Sequence, residues 1–151
     1  MTYKEAMGAI EILLVEDNAG DVRLTKEALS ESKSITNLHI VNDGVAAGEF
    51  LKGEGPYKKS PRPDLILLDL NLPKKSGFEV LVDIKQDPLL RTIPVIILTT
   101  SNAEVDVRKG YENHANAYII KPVNIEDYFT LVKHIDEFWL GSVRLLSHFR
   151  R

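Results

Sequence analysis

The chain has no cysteine, which excludes disulfide staples, thiol nucleophiles and thiolate-bound zinc, and which fits a reducing compartment. It also has no apolar run near the roughly 18 residues needed to span a bilayer. Its opening, MTYKEAMGAIEILLV, lacks a basic segment followed by a separate apolar stretch, so neither secretion nor membrane insertion is expected and the expected location is cytoplasmic. Charge of one sign is missing as well. Nineteen Lys and Arg against 22 Asp and Glu leave a net charge of -3, which gives no global pull toward nucleic acid.

What is present is an ordinary globular composition, 151 residues with 44% hydrophobic and 27% charged. That length suits one domain able to bury about 70% of its unfolded surface. Short apolar runs alternate with longer amphipathic stretches, the pattern of repeated βα units on a mostly parallel sheet. Five strands are expected, at 11–15, 38–41, 65–68, 95–98 and 117–120. Asn18 or Asp21 can cap a first helix carrying Val22, Leu24, Ala28 and Leu29, and Gly44 precedes a short second one through Phe50 and Leu51. Ser76 can cap a third that Pro88 closes, a fourth follows Asn102 to about Gly110, and Asn124 can cap a fifth running to Leu140. Right-handed crossovers then place helices on both faces, an α/β, doubly wound fold. The stretch GEGPYKKSPRP at 53–63 is too short to separate domains and reads as a surface loop, with a basic docking patch as the alternative.

Four polar signals each end an apolar run: Glu16-Asp17-Asn18 after IEILLV, Asp69 after DLILL, Thr99-Thr100-Ser101 after VIIL, and Lys121-Pro122 after AYII. Open α/β sheets gather functional groups where parallel strands end, so these residues are expected at one edge. Three carboxylates brought together are costly. At about 4 Å and an effective dielectric near 20, each like-charge pair costs roughly 4 kcal/mol, so Glu16, Asp17 and Asp69 need counter-charge from Lys121 and a cation. Oxygen-only ligands point to a hard ion, Mg²⁺ or Mn²⁺, over zinc. Beside it, Asp69 could attack phosphorus to form an acyl phosphate, and Thr99 could donate to a phosphoryl oxygen. Taken singly, each residue has a plainer reading: Asp17 as a helix cap, Asp69 as a turn former, Thr99 as a strand end, Lys121 as a surface lysine. Two other functions use similar residues, a metal-dependent phosphatase with an aspartyl-phosphate intermediate and a flavin or nucleotide binder. Against them, Asn71 stands where a phosphatase DxD would have its second acid, and the first turn EDNAGD would repel a ligand's phosphates.

The segments ILLVEDN, LILLDLNLPKKSG, PVIILTTS and AYIIKP together resemble the signatures of bacterial two-component receiver domains, over residues 11–140. The resemblance implies a flavodoxin-like, five-stranded parallel sheet in the order 2-1-3-4-5. It implies Asp69 as acceptor of a phosphoryl group from a histidine kinase. Asp17 and Asp69 would bind Mg²⁺ directly, Asn71 through its backbone carbonyl and Glu16 through water, while Thr99 and Lys121 would contact the phosphoryl group. Glu16 stands where many members have Asp. Tyr118 is implied as an aromatic switch that turns inward when Thr99 moves, with a half-buried strand tyrosine as the plain reading, and Lys121-Pro122 is implied to be cis. Asn71 and Ser101 sit where the family tunes hydrolysis. Such a protein is a phosphoacceptor that assists its own phosphorylation and dephosphorylation, not an enzyme acting on external substrates.

Residues 1–10 are read as an extension and 141–151 as a tail. The 30 residues after Lys121 are too few for an output domain, so output is expected through protein contact, without DNA or membrane. Ile125, Tyr128, Val132, Ile135 and Trp139 form one apolar stripe of the fifth helix; Leu131 and Phe138 lie on another side, with Val143, Leu145, Leu146 and Phe149 beyond. The second set is expected to leave apolar area for a homodimer through the fourth helix, fifth strand, fifth helix and tail. The alternatives are a tail folded back on its own subunit and a basic contact from Arg144, Arg150 and Arg151. More narrowly, EDNAGDVRLTKEAL, the 53–63 loop and FWLGSV resemble single-domain regulators paired with cyanobacterial phytochromes, which implies a phytochrome-type kinase as phosphodonor. His39, His114, His134 and His148 lack a phosphodonor context and read as surface or packing residues.

Overall fold

A computed structural model describes residues 8–149 of the chain, without the side chains of 147 and 148. The expected extension therefore falls mostly outside the described residues, as do Arg150, Arg151 and the His148 side chain. Five parallel strands, β1 (Ile10–Val15), β2 (Thr36–Val41), β3 (Leu65–Leu68), β4 (Val95–Thr99) and β5 (Ala117–Ile120), form one sheet in the order β2-β1-β3-β4-β5. Five helices alternate with them: α1 (Ala19–Ser30), α2 (Gly44–Lys52), α3 (Gly77–Gln86), α4 (Glu104–Glu112) and α5 (Ile125–Ile135).

The central strands are apolar on both faces because each face carries its own core, and the period-two alternation of a strand sorts the residues between them. Leu13, Val15, Ile66, Leu68, Val95 and Ile97 pack with Ala47 and Phe50 of α2 and Val80, Leu81 and Ile84 of α3. Ile12, Leu14, Leu65, Leu67, Ile96 and Leu98 pack with Ala28 and Leu29 of α1 and Tyr128, Val132 and Ile135 of α5. Caps set the helix starts: the side chains of Asn18, Asp43, Ser76 and Asn124 accept backbone N–H groups of α1, α2, α3 and α5.

The fourth helix follows Asn102 as expected: α4 begins at Glu104, with Ala103 at its cap position and no side-chain cap bond. The Ser101 hydroxyl beside it donates to Asp106 at 2.6 Å and accepts from the Ala103 N–H at 3.4 Å. Two local expectations are corrected. First, the described backbone has no cis peptide bond, so Lys121-Pro122 is trans, the isomer that X-Pro bonds prefer by about 0.5–1 kcal/mol. Second, α5 does not run as an α-helix to Leu140; from Asp136 to Ser142 the chain widens into a π turn. The next core residue after Ile135 is Leu140, five positions on and buried in the same cluster, and an i→i+5 helix puts those two on one side. Trp139, expected in the buried stripe, is only half-buried.

The tail divides in the same way. Leu145 is buried and Val143 partly buried against the chain's own core, so these two are withdrawn from the apolar area expected for a partner. Phe138, Leu146 and Phe149 remain exposed. The 53–63 segment is an ordered surface loop with a 3₁₀ turn at Gly55–Tyr57, tied down by Arg62, which donates to the Leu89 carbonyl and the Thr92 hydroxyl at 3.0 Å.

The loop from β3 to α3 is held by close backbone approach. A Cβ on Gly77 would strike the Asp69 carbonyl oxygen and lie 2.6 Å from Leu70 Cα, and the Gly77 N–H donates to the Leu70 carbonyl at 2.9 Å. Only glycine fits. Gly77→Ala is expected to lower the unfolding free energy in urea by about 3 kcal/mol, the upper end of overpacking costs; a loss under about 1 kcal/mol would mean the loop can shift without consequence.

Candidate functional site at the carboxyl edge of the sheet

The strand ladder carries the polar residues to one edge. Beyond the last paired residues, the Glu16 N–H donates to Val41, the Asp69 N–H to Val15 and the Lys121 N–H to Thr99, at 3.0, 3.0 and 2.7 Å. Glu16, Asp69 and Lys121 thus extend β1, β3 and β5 by one residue each, and Thr99 is the last residue of β4. All four are buried. Such burial of polar groups requires that they satisfy one another.

Lys121 lies at the centre. Its Nζ donates to Glu16 Oε1, to Asp21 Oδ2 at 2.9 Å and to Asp69 Oδ2 at 3.0 Å. Burial alone would lower the lysine's pKa, but the bonds to Glu16 and Asp21 and the fields of Glu16 and Asp69 outweigh it, and the pKa is raised. Glu16 is pushed up to about 7, because burial and the neighbouring Asp69 charge outweigh its bonds from Lys121 and the Asn18 N–H.

One carboxylate oxygen from each of Glu16, Asp17 and Asp69 lies within 4.8 Å of the other two. Asp17 is exposed while the other two are buried, so the cluster opens to solvent on one side. Three carboxylates meet the one ammonium, and Asp17 adds a fourth negative charge beside them. An oxygen-only donor set with excess negative charge fits a hard divalent cation. Asn71, also exposed, donates its N–H to Asp69 Oδ1 at 3.2 Å, which anchors the oxygen that Lys121 does not hold.

Thr99 differs from its neighbours. It is fully buried, and among the described residues its Oγ1 is the buried side-chain polar atom without a hydrogen-bond partner. An unpaired buried hydroxyl costs free energy unless something at the site receives it. Tyr118, half-buried on β5, donates its hydroxyl to the Ser101 carbonyl at 2.9 Å, and its pKa is raised by burial. Gly110 of α4 gives the ring room: a Cβ there would lie 3.0 Å from Tyr118 Cδ2 and from Ile97 Cδ1.

Glu16, Asp17, Asp69 and Lys121 are thus brought into one cluster, with Thr99 on the adjoining strand end and Asn71 on the loop. Tyr118 stands one step back, joined through Ser101. The sequence reading missed Asp21 as a partner of Lys121, having weighed it only as a cap. Its signal was there: an acid three positions after Asn18 falls in the first helical turn, next to the strand end that carries Glu16. His39 pairs through Nε2 with Glu11 at 2.9 Å, on the opposite half of β1.

An open parallel sheet whose carboxyl edge joins an acidic triad, a lysine and an unpartnered threonine hydroxyl defines a phosphoryl-handling signalling class. The Response regulator receiver domain family matches residues 12–133, and the chain belongs to that family. It is 54% identical to Response regulator Rcp1 of Synechocystis sp. over 134 residues, 89% of this chain and 91% of the relative. The crystal structure of the Mn(2+)-bound form of Rcp1 superposes with a TM-score of 0.88 at 53% identity, covering 90% of this chain and 98% of that one. The phosphorylated cyanobacterial phytochrome response regulator RcpA superposes with a TM-score of 0.90 at 49% identity, covering 92% and 99%. The chain is therefore a receiver-type response regulator homologous to phytochrome response regulators, and its acidic cluster matches a class that takes divalent metal. Among the described residues, no helix is long and apolar enough to cross a membrane.

Two outcomes follow from the electrostatics. Thr99→Val, which keeps the shape and removes the unpaired hydroxyl, is expected to leave unfolding stability unchanged or raise it by about 1 kcal/mol; a loss of that size in urea melts would reveal a partner for the hydroxyl. Because Glu16 has its folded pKa raised from 4.5 to about 7, its contribution is fully present below pH 4.5 and is lost as pH rises through 7. In chelator-treated protein, Glu16→Gln is expected to flatten that part of the stability-versus-pH curve, and an unchanged slope would assign it to another group.

Proposed function

We propose that Asp69 is the phosphoacceptor of this response regulator and that a histidine kinase of the phytochrome type is its donor. A carboxylate oxygen of Asp69 forms the new bond to phosphorus as the bond from phosphorus to the donor imidazole nitrogen breaks, and the imidazole leaves with its electron pair to be protonated. The Thr99 hydroxyl and the Lys121 ammonium receive the phosphoryl oxygens. Asp17, Asp69, the Asn71 backbone carbonyl and, through water, Glu16 would hold Mg²⁺, which would supply charge neutralisation on the transferring oxygens when bound. The observation that carries this reading is the buried, unpartnered Thr99 hydroxyl at the edge where Lys121 binds Asp69.

The protein assists its own phosphorylation and dephosphorylation and acts on no external phosphoester; its place is the cytoplasm, in keeping with its lack of cysteine. Tyr118 is the switch: once Thr99 engages the phosphoryl group, its hydroxyl leaves the Ser101 carbonyl and the ring turns inward. Residues 11–140 act as the receiver and 141–151 as a tail that adds to a homodimer through α4, β5 and α5. Exposed Val105, Tyr111, Ile120 and Phe138 support that surface, and output passes through protein contact without DNA or membrane. Incubation with Mg²⁺ and a small phosphodonor is expected to add one phosphoryl group by intact mass, and Asp69→Asn to add none; no gain in the wild type, or an undiminished gain in the variant, overturns the reading. Light scattering on the same samples is expected to report a dimer.

A further inference from the structure

Every polar group of Asp21 is engaged. Its N–H donates to the Asn18 side chain at 2.9 Å, its carbonyl accepts from the buried Thr25 hydroxyl at 2.8 Å, and its carboxylate reaches Lys121 at 2.9 Å. Thr25 is itself paired with the buried Tyr128 hydroxyl of α5 at 3.2 Å, so the first turn of α1 is fixed against α5. In an ordinary capping box the acid three places after the cap would reach back to the cap residue's own N–H. Here the Asn18 N–H donates to Glu16 Oε2 at 3.2 Å instead. Asp21 is thereby free of its local duty.

Lys121 has three carboxylate partners, and two of them, Glu16 and Asp69, also belong to the cluster able to hold a cation. The ammonium and a divalent ion therefore compete for the same oxygens. Among the described residues, Asp21 is the carboxylate partner of Lys121 outside that cluster.

We propose that Asp21 is a positioning residue for Lys121, the carboxylate that keeps the ammonium at the rim while a divalent cation engages Glu16 and Asp69. The proposal rests on the reading of this edge as a metal and phosphoryl site and adds to it the residue that lets both cations be held at once. Without Asp21, the ammonium falls back on the cation's ligands.

The test is a double-mutant cycle on Mn²⁺ affinity, titrating Mn²⁺ alone onto the whole chain and following the free-ion paramagnetic resonance signal. Asp21→Asn is expected to weaken binding about tenfold when Lys121 is present, and less than about twofold in a Lys121→Met background, where no ammonium remains to compete. Equal weakening in both backgrounds means that Asp21 contributes only negative charge, and no weakening in either means that it holds nothing in place; both results overturn the proposal. Asp21→Ser, read by the same criteria, serves if the amide variant does not fold. Failure of phosphoryl transfer to Asp69 in the wild type would sink the broader reading while leaving this cycle interpretable, and failure of the cycle with Asp69 still phosphorylated sinks the role of Asp21 alone.

Discussion

The Lys121 ammonium, shared by Glu16, Asp21 and Asp69, is the contact on which the rest of the carboxyl edge depends. Carboxylates drawn together at a dielectric near 20 repel one another by roughly 4 kcal/mol per pair at about 4 Å, and two of these three are buried. The lysine offsets part of that cost and stays charged because it answers three acids. What it cannot offset shows at Glu16, pushed up to about 7. The remaining negative charge is not a flaw in the packing. A cluster that is slightly under-compensated attracts a divalent cation, whereas a fully neutralised one would have little reason to bind it.

The sheet makes this arrangement possible by supplying stability elsewhere. Its central strands are buried on both faces and their backbone groups pair along four parallel ladders. The costly groups are confined to residues that continue the ladder by one step, where backbone hydrogen bonds hold them. Strain and unmet polarity at a functional edge persist only when the surrounding structure over-determines them. The glycine at 77, pressed against the Asp69 backbone, is part of that constraint.

The strands and three of the five helix starts were legible in the sequence because their causes are local: apolar runs of strand length, and Asn or Ser placed one residue before a helix. The same held for Glu16, Asp17, Asp69, Thr99 and Lys121, since a parallel sheet gathers strand ends by rule. Asp21 was not legible as a partner of Lys121, because the two are 100 residues apart and the local pattern offered a sufficient reason for the acid as a cap. The π turn after Ile135 was hidden for a related reason. A three-and-four spacing from Ile135 reaches Phe138 and Trp139 but not Leu140 five positions on, so the true core residue enters the buried cluster only where the helix widens.

The two sides of the edge are anchored unequally, and this asymmetry bears on how a change at Asp69 can spread. On the α1 and α5 side, the buried Thr25–Tyr128 pair, the Ser32–Asp136 bond and the Lys133–Glu31 ion pair tie the helices together. On the other side, α4 has a single buried residue among those described, Gly110, and no side-chain cap. Its contacts to the rest of the fold include Ser101 with Asp106, the Tyr118 N–H donated to the Tyr111 hydroxyl at 3.2 Å, and Lys109 over the Phe78 ring at 4.4 Å, while Tyr118 also holds the Ser101 carbonyl just ahead of it. Elements with little buried apolar surface are the first to move. The segment between Thr99 and α4 joins the unpartnered hydroxyl directly to this lightly held helix, so a displacement of Thr99 meets least resistance along Ser101, Tyr118 and α4. Under the proposed reading, a change at Asp69 would be directed along this path to the β4–β5 half of the molecule.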